Sequence, residues 1–168
     1  MLIDISGVLK NENSGLDIEF DMDGSDIELY GDEHPFKTPL HVSGKVENKA
    51  GIVTLLLNIS GMMEMLCARC LKPVSHKVDV DVENLLVTEL QNADDDKLLL
   101  VTEDLFDVGK IAADAVVVNA PVRLLCREDC KGLCPKCGKD LNEGGCDCKN
   151  DEVDSRLAVL QKLLNKEK

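Results

Sequence analysis

The sequence predicts an α+β fold, in which an antiparallel β-sheet body with one or two packed helices precedes a Cys-rich C-terminal module. Three observations lead to this prediction. Apolar and polar residues alternate in the middle of the chain, a helical pattern lies over residues 107–119, and six of the eight cysteines lie in residues 121–149. The 168 residues are 44% hydrophobic but only 2% aromatic, so we expect an aliphatic core.

Three β-strands are expected in the body. Every second residue is apolar from Val53 to Ile59 and again from Val78 to Val82, which is the period of a strand with one buried face. A further strand is expected over residues 40–46, and the polar segment 47–51, which ends in glycine, suits a β-hairpin loop. Together these segments predict an antiparallel sheet. The acidic run at 94–96 is expected to be a solvated loop, because calcium ligands alternate along a longer loop.

One helix is expected over residues 107–119. Ile111, Ala115 and Val118 recur at helical spacing and are expected to form its apolar face, and Pro121 marks its end. Three consecutive valines at 116–118 are unusual in a helix, because β-branched side chains restrict χ1 there.

A second, amphipathic helix is expected in the C-terminal segment, residues 150–168. It would begin after Asp151, a favourable N-cap residue. Its apolar residues are spaced by four, three and four positions, at Val153, Leu157, Leu160 and Leu164. We expect this helix to pack on the body, and the alternative is that it binds a partner.

The charged residues divide the chain into three parts. Residues 1–120 carry 9 basic and 23 acidic side chains and form an acidic body, whereas residues 121–149 carry 6 basic and 5 acidic ones. Residues 150–168 form a short tail. The net charge of −13 excludes a protein that coats nucleic acid with its whole surface, so any RNA contact is expected to be local.

The start of the chain lacks the basic segment and apolar run of a secretory leader, and no stretch approaches the roughly 18 apolar residues that span a bilayer. The sequence therefore predicts a cytoplasmic protein with no membrane partner. In a reducing compartment, closely spaced cysteines are metal ligands more often than disulfides.

The eight cysteines are the candidate functional residues. The first two belong to the segment Cys67-Ala68-Arg69-Cys70, between two predicted strands. The other six lie in the C-terminal module, at Cys126, Cys130, Cys134, Cys137, Cys146 and Cys148. Two thiolates three positions apart across a tight turn can face one tetrahedral ion, about 2.3 Å from each sulfur, and ligation by thiolates alone favours zinc. The spacing therefore predicts a module similar to a zinc ribbon.

Eight cysteines divide into two four-cysteine sites. In the favoured partition, the four that lie closest together in sequence form one site: Cys134, Cys137, Cys146 and Cys148. The other site then ties the tip of a hairpin to the start of the module, through Cys67, Cys70, Cys126 and Cys130. The alternative places one site within residues 126–137 and leaves the first two cysteines to pair with the last two.

No catalytic site is expected. A CxxC pair is also the motif of thiol oxidoreductases, but there it sits at a helix N-terminus, whereas Cys67 and Cys70 lie between two strand patterns. Catalytic zinc sites usually include histidine or carboxylate ligands and an open position, and His34, His41 and His76 lie outside the module. The sequence thus predicts a non-enzymatic protein with no small-molecule substrate, and a dithiol redox protein is the alternative.

Four blocks carry a resemblance to a known family: CARCLKPV at 67–74, LCREDCKGLCPKCGKDLN at 125–142, CDC at 146–148 and RLAVLQKLL at 156–164. Together they resemble the YceD family, the large ribosomal RNA subunit accumulation proteins. The resemblance implies a cytosolic protein of bacteria or plastids, a non-enzymatic factor that supports normal 23S rRNA levels through processing or assembly. Some members lack most of the six cysteines found here at 126–148, which implies that zinc there stabilises this branch of the family.

Two kinds of partner are compatible with such a role. A local basic edge could contact ribosomal RNA through Arg69, Lys72, Lys77, Arg127, Lys131 and Lys136. The same residues could instead balance the negative charge of the thiolates, and the module has no aromatic residue for stacking on bases. We therefore favour a basic ribosomal protein, or a precursor of the large subunit, held by the acidic body. A zinc-stabilised interaction module without a ribosomal role is the remaining alternative.

Overall fold

The computed structural model describes residues 1–25, 27–29, 34–88, 97–102 and 105–148. These residues form an α+β fold, as expected. In chain order its elements are β1 (Leu2–Asp4), α1 (Ser6–Lys10), β2 (Ser14–Met22), β3 (Leu40–Lys49), β4 (Ile52–Leu66), β5 (Pro73–Val87), β6 (Leu98–Leu100), β7 (Leu105–Asp107) and α2 (Val108–Asn119). The acidic run at 94–96 and the predicted C-terminal helix lie outside the described residues.

Five of these strands form one sheet, in the order β2-β3-β4-β5-β6. Its first four strands pair antiparallel, and their register places Val46 opposite Leu55 and Ile59 opposite Val80. The antiparallel body is thus confirmed, except that the short β6 joins in parallel, with Leu98 beside Leu85. β1 and β7 pair separately as a two-stranded antiparallel ribbon.

The hairpin of β3 and β4 closes more tightly than the sequence predicts. Lys49 still pairs with Ile52, so the turn consists of Ala50 and Gly51, at φ values of 52° and 83°. Positive φ at both central positions characterises type I′ turns, whose twist matches that of the flanking strands. The predicted loop at 47–51 is therefore shortened to two residues.

One face of the main sheet carries the core. The alternating residues from Val53 to Ile59 are buried, as predicted, and Val42 and Val46 on the neighbouring strand are fully buried. α1 and α2 pack on this face, where Val8 and Val116 join the same apolar cluster. The opposite face presents six exposed acidic residues, named here the acidic face: Asp17, Glu19, Asp21, Asp79, Asp81 and Glu83.

Helix α2 has the predicted bounds but a different buried face. Its N-cap is Asp107, whose carboxylate accepts a hydrogen bond from the backbone N–H of Lys110 at 3.2 Å. Val108, Ala112 and Val116 are buried, whereas Val118, expected on the apolar face, is 82% exposed. Two adjacent stripes of the helix are apolar, and only its packing against the sheet decides between them. Neither helix in the described ranges has the length and apolar character needed to cross a membrane.

Residues 121–148 contain neither helix nor strand, and an isolated bridge pairs Leu133 with Asp140. Leu124, at their start, is buried in the main core. Further along, Cys130 forms a small separate cluster with Cys67 and Cys70. The segment lacks an extended apolar core of its own and is organised around its cysteines.

Candidate metal sites

The cysteine sulfurs gather into two groups of four. In each group all four Sγ atoms lie within 4.8 Å of one another. The first cluster consists of Cys67, Cys70, Cys126 and Cys130, and the second cluster of Cys134, Cys137, Cys146 and Cys148. This is the partition that the sequence favours, and the alternative partition does not form. Within the described residues, no further group of histidine, cysteine and carboxylate side chains meets the same distance criterion.

The sulfur distances in the first cluster fit a tetrahedral metal ion. Four thiolates about 2.3 Å from a central zinc would lie about 3.8 Å from one another. The observed Sγ distances are 3.8 Å between Cys67 and Cys130 and 3.5 Å between Cys70 and Cys126. A disulfide requires about 2.05 Å, so the cysteines are free thiols at the spacing of metal ligands.

The first CxxC pair forms a tight turn at the end of the β4–β5 hairpin. The backbone N–H of Cys67 donates to the carbonyl of Lys72 at 2.8 Å, and the N–H of Leu71 donates to the carbonyl of Cys67 at 3.0 Å. The Cys67 sulfur accepts hydrogen bonds from the N–H groups of Arg69 and Cys70. Leu71 adopts φ of 58°, a conformation that is rare for a bulky residue.

The second CxxC pair repeats this turn. The N–H of Cys134 donates to the carbonyl of Lys139 at 2.9 Å, and the N–H of Gly138 donates to the carbonyl of Cys134 at 2.9 Å. The Cys134 sulfur accepts from the N–H groups of Lys136 and Cys137. Gly138, at φ of 71°, occupies the position of Leu71 in the first turn. The two segments, CARCLK and CPKCGK, are thus one structural motif used twice, which the shared spacing of C, C and K could have indicated.

Each turn favours the thiolate of its first cysteine. Burial opposes ionisation of Cys67, but hydrogen bonds from the backbone N–H groups of Cys126, Cys70 and Arg69 lower its pKa to about 6. The N–H groups of Cys137 and Lys136 likewise lower the pKa of Cys134 to about 6.

The pKa values of two other thiols are shifted in the opposite direction, because neighbouring sulfurs crowd them. The nearby sulfur of Cys70 raises the pKa of Cys126 to about 12, and that of Cys137 raises the pKa of Cys148 to about 12. Four thiolates cannot coexist at these distances without a compensating positive charge, which a divalent ion would supply.

The first cluster joins residues 121–148, named here the Cys-rich segment, to the β4–β5 hairpin. The N–H of Ala68 donates to the carbonyl of Leu124 at 2.8 Å, and the N–H of Leu133 donates to the carbonyl of Arg69 at 3.1 Å. The Arg69 guanidinium donates to the carbonyl of Cys130 at 2.7 Å. Gly132, at φ of 76°, permits this approach, because a Cβ there would lie 2.9 Å from the Arg69 carbonyl oxygen.

Partners within the chain can be named for the side chains of four predicted basic contact residues. These pairs are Arg69 with the Cys130 carbonyl, Lys72 with Asp140 and Glu143, Lys77 with Asp79, and Arg127 with Asn142 and Asp129. Lys72 lowers the pKa of the Asp140 carboxyl to about 2, and Asp140 in turn raises the pKa of Lys72. Lys131 and Lys136 are exposed in the Cys-rich segment. Three of these residues, Arg69, Lys72 and Arg127, are therefore engaged in the packing of the Cys-rich segment itself.

Comparisons with known proteins place these features in context. The sequence model of the large ribosomal RNA subunit accumulation protein YceD matches residues 55–164, which include all eight cysteines. The uncharacterized protein YlbN of Bacillus subtilis is 30% identical over 132 residues, which cover 77% of each chain. An uncharacterized protein of Mycobacterium tuberculosis is 34% identical over 106 residues, 60% of this chain and 50% of the relative, so the match spans half of that protein.

A plant relative carries a functional name. The chloroplastic large ribosomal RNA subunit accumulation protein YCED homolog 1 of Arabidopsis thaliana is 37% identical over 57 residues, 34% of this chain and 18% of the relative. No solved structure matches the chain.

Proposed function

Because the chain belongs to the YceD family of large ribosomal RNA subunit accumulation proteins, we propose that it supports accumulation of 23S ribosomal RNA as a non-enzymatic factor in processing or assembly of the large subunit. Two structural zinc ions would hold its Cys-rich segment. The observation that carries the proposal is the family match over a range that includes both four-cysteine clusters. The proposed site of action is the cytoplasm.

The role proposed for zinc is structural. A four-thiolate zinc ion is closed, with no open position for a substrate. When bound, zinc contributes roughly 10–16 kcal/mol of coupled folding energy in small finger peptides. The chain itself supplies the sulfurs and the backbone N–H donors that orient Cys67 and Cys134. In this proposal the ions fix the shape of residues 121–148, and other residues contact the partner.

The proposed partner is a basic ribosomal protein, bound on its own or within a precursor of the large subunit. The acidic face is exposed and lies on the side of the sheet opposite the core. Its charge is balanced in part by neighbours, since Asp79 pairs with Lys77 at 2.7 Å and Asp21 contacts His41 at 3.0 Å. Complementary charge of this kind accelerates encounter with a basic protein and excludes acidic ones. The internal pairing of Arg69, Lys72 and Arg127 favours this partner over direct contact with RNA.

Neutralising the acidic face is expected to weaken association with large-subunit precursors. The variant combines Asp17→Asn, Asp81→Asn and Glu83→Gln and is measured by co-sedimentation at fixed ionic strength. We expect binding to fall on the order of tenfold, because steering by charge is lost. The matched control neutralises three exposed acids elsewhere, with Glu12→Gln, Asp114→Asn and Asp147→Asn, and should bind as the native protein does.

Depletion of the protein in cells tests the ribosomal role independently. The ratio of large-subunit to small-subunit ribosomal RNA should fall and should recover when the native chain is restored, but not when the acidic-face variant is. An unchanged ratio after depletion would reject the ribosomal proposal.

In the co-sedimentation experiment, equal loss of binding in both neutralised variants would show that net charge, rather than the acidic face, is responsible. Loss of binding only after Lys131→Gln with Lys136→Gln would favour RNA contact.

A further inference from the structure

Asn142 connects the two cysteine clusters. It lies in the loop between Cys137 and Cys146, both members of the second cluster. Its side chain nevertheless contacts the first cluster, where Nδ2 donates a hydrogen bond to the Cys130 sulfur at 3.5 Å. A residue positioned by one cluster therefore supports a sulfur of the other.

The contacts of Asn142 fix the orientation of its amide. Oδ1 accepts from the Arg127 guanidinium at 2.8 Å and from the backbone N–H of Lys131 at 2.8 Å. Nδ2 donates to the Asp140 carboxylate at 2.7 Å as well as to Cys130. A rotation of the amide by 180° would place donors against donors and acceptors against acceptors. The N–H group is thus held toward the sulfur.

Polar contacts hold the loop that carries Asn142 on the side of each cluster. The Asp140 carboxylate pairs with Lys72, in the first CxxC turn, at 2.8 Å. The N–H of Leu141 donates to the carbonyl of Gly132 at 2.9 Å. On the side of the second cluster, Lys139 donates to the carbonyl of Gly145 at 2.8 Å. An ion in the second cluster would fix both ends of this loop.

We propose that Asn142 couples the metal affinities of the two clusters. A metal ion in the second cluster orders the loop, and the ordered amide then stabilises the Cys130 thiolate as a ligand of the first cluster. The effect is reciprocal, because a coupling free energy between two binding sites acts equally in both directions. Asn142 is a positioning residue rather than a ligand. This inference rests on the proposed function in one respect, namely that both clusters bind metal.

A double-mutant cycle on the full chain tests the coupling. The probe is cobalt(II), whose thiolate absorption reports binding, with a competing chelator to measure affinity. Four proteins are compared for the affinity of the first cluster: the native chain, Asn142→Ala, Cys146→Ser with Cys148→Ser, and all three changes together. Replacement of a group that supports a metal ligand typically costs 10–100-fold in affinity. We expect a loss of this size from either change alone and little further loss when they are combined.

Several controls separate coupling from misfolding. Asn58→Ala removes an amide that bonds Asp79 and Asp81 on the sheet and should leave both metal affinities unchanged. Asn142→Asp keeps the shape but removes the N–H donor, so it should weaken the first cluster as Asn142→Ala does. The circular dichroism of the sheet should be the same in all variants.

Two results overturn the proposal in different ways. If the native chain binds two cobalt ions and Asn142→Ala leaves the first cluster's affinity unchanged, or if the losses are fully additive, coupling through Asn142 is wrong while the metal sites stand. If the native chain binds fewer than two cobalt ions, the proposed metal sites fail and the coupling fails with them.

Discussion

Replacing Cys67 with serine is expected to remove one of the two proposed metal ions and to release the Cys-rich segment from the β4–β5 hairpin. Cys67 is fully buried, and its sulfur lies 3.8 Å from that of Cys130. A hydroxyl is a poor ligand for zinc compared with a thiolate. We expect the coupled folding energy of that ion to be lost, since small metal-bound segments depend on the ion for their fold.

Hydrogen exchange measures this release directly. The N–H groups of Ala68 and Leu133, which bond across the junction, should lose protection in Cys67→Ser. The central strands β3 and β4 should keep theirs, because their core does not include the cluster. Cys148→Ser also removes a sulfur, but from the second cluster, and should reduce the protection of Ala68 and Leu133 less, because that cluster acts on the junction only through the loop that carries Asn142. Protection of Ala68 that survives in Cys67→Ser would contradict a metal-dependent junction.

Replacing Gly44 with alanine is expected to destabilise the sheet by about 3 kcal/mol or more. The added methyl group would overlap backbone atoms, which cannot move aside as a flexible side chain could. Gly44 pairs with Leu57 in the middle of β3 and β4. A Cβ at this position would collide with the carbonyl oxygen of Leu56 and lie 2.8 Å from the Leu57 Cα. The two strands would have to separate at their centre.

Urea unfolding followed by circular dichroism measures the effect of Gly44→Ala, since the chain has no tryptophan. Gly15→Ala, on the neighbouring β2, is the control. Its Cβ would lie 3.5 Å from the Val46 carbonyl oxygen, an ordinary contact. Alanine there should leave the free energy of unfolding unchanged or raise it by about 0.5–1 kcal/mol, because glycine loses more backbone freedom on folding. Equal stability of the two variants would show that the close approach of β3 and β4 at Gly44 does not contribute to the free energy of unfolding.

The sequence predicts those parts of the fold that depend on local patterns. Alternation located β4 and β5, and the hairpin loop before β4 located β3. The cap and proline around α2 located its ends, because each of these signals lies within a few residues. β2 went unpredicted although Leu16, Ile18 and Phe20 alternate with acidic residues, so a usable signal was present. The parallel pairing of β6 had no such signal, because it depends on a contact with β5 that local pattern does not encode.

The cysteine partition was predictable, whereas the support around it was not. The last four cysteines lie close together in sequence, which predicts that they form one site and that the other four form the second. The structure has this arrangement. Asp140 and Asn142 look like ordinary loop residues in the sequence. Their contacts with Lys72 and Cys130 arise only once both CxxC turns are packed together.

Both clusters are proposed here as structural zinc sites. The most direct test is elemental analysis of protein purified without chelator, with thiol titration before and after metal release. We expect two zinc ions per chain and recovery of all eight thiols on release. Absence of metal together with fewer than eight titratable thiols would contradict it and would favour a dithiol redox protein.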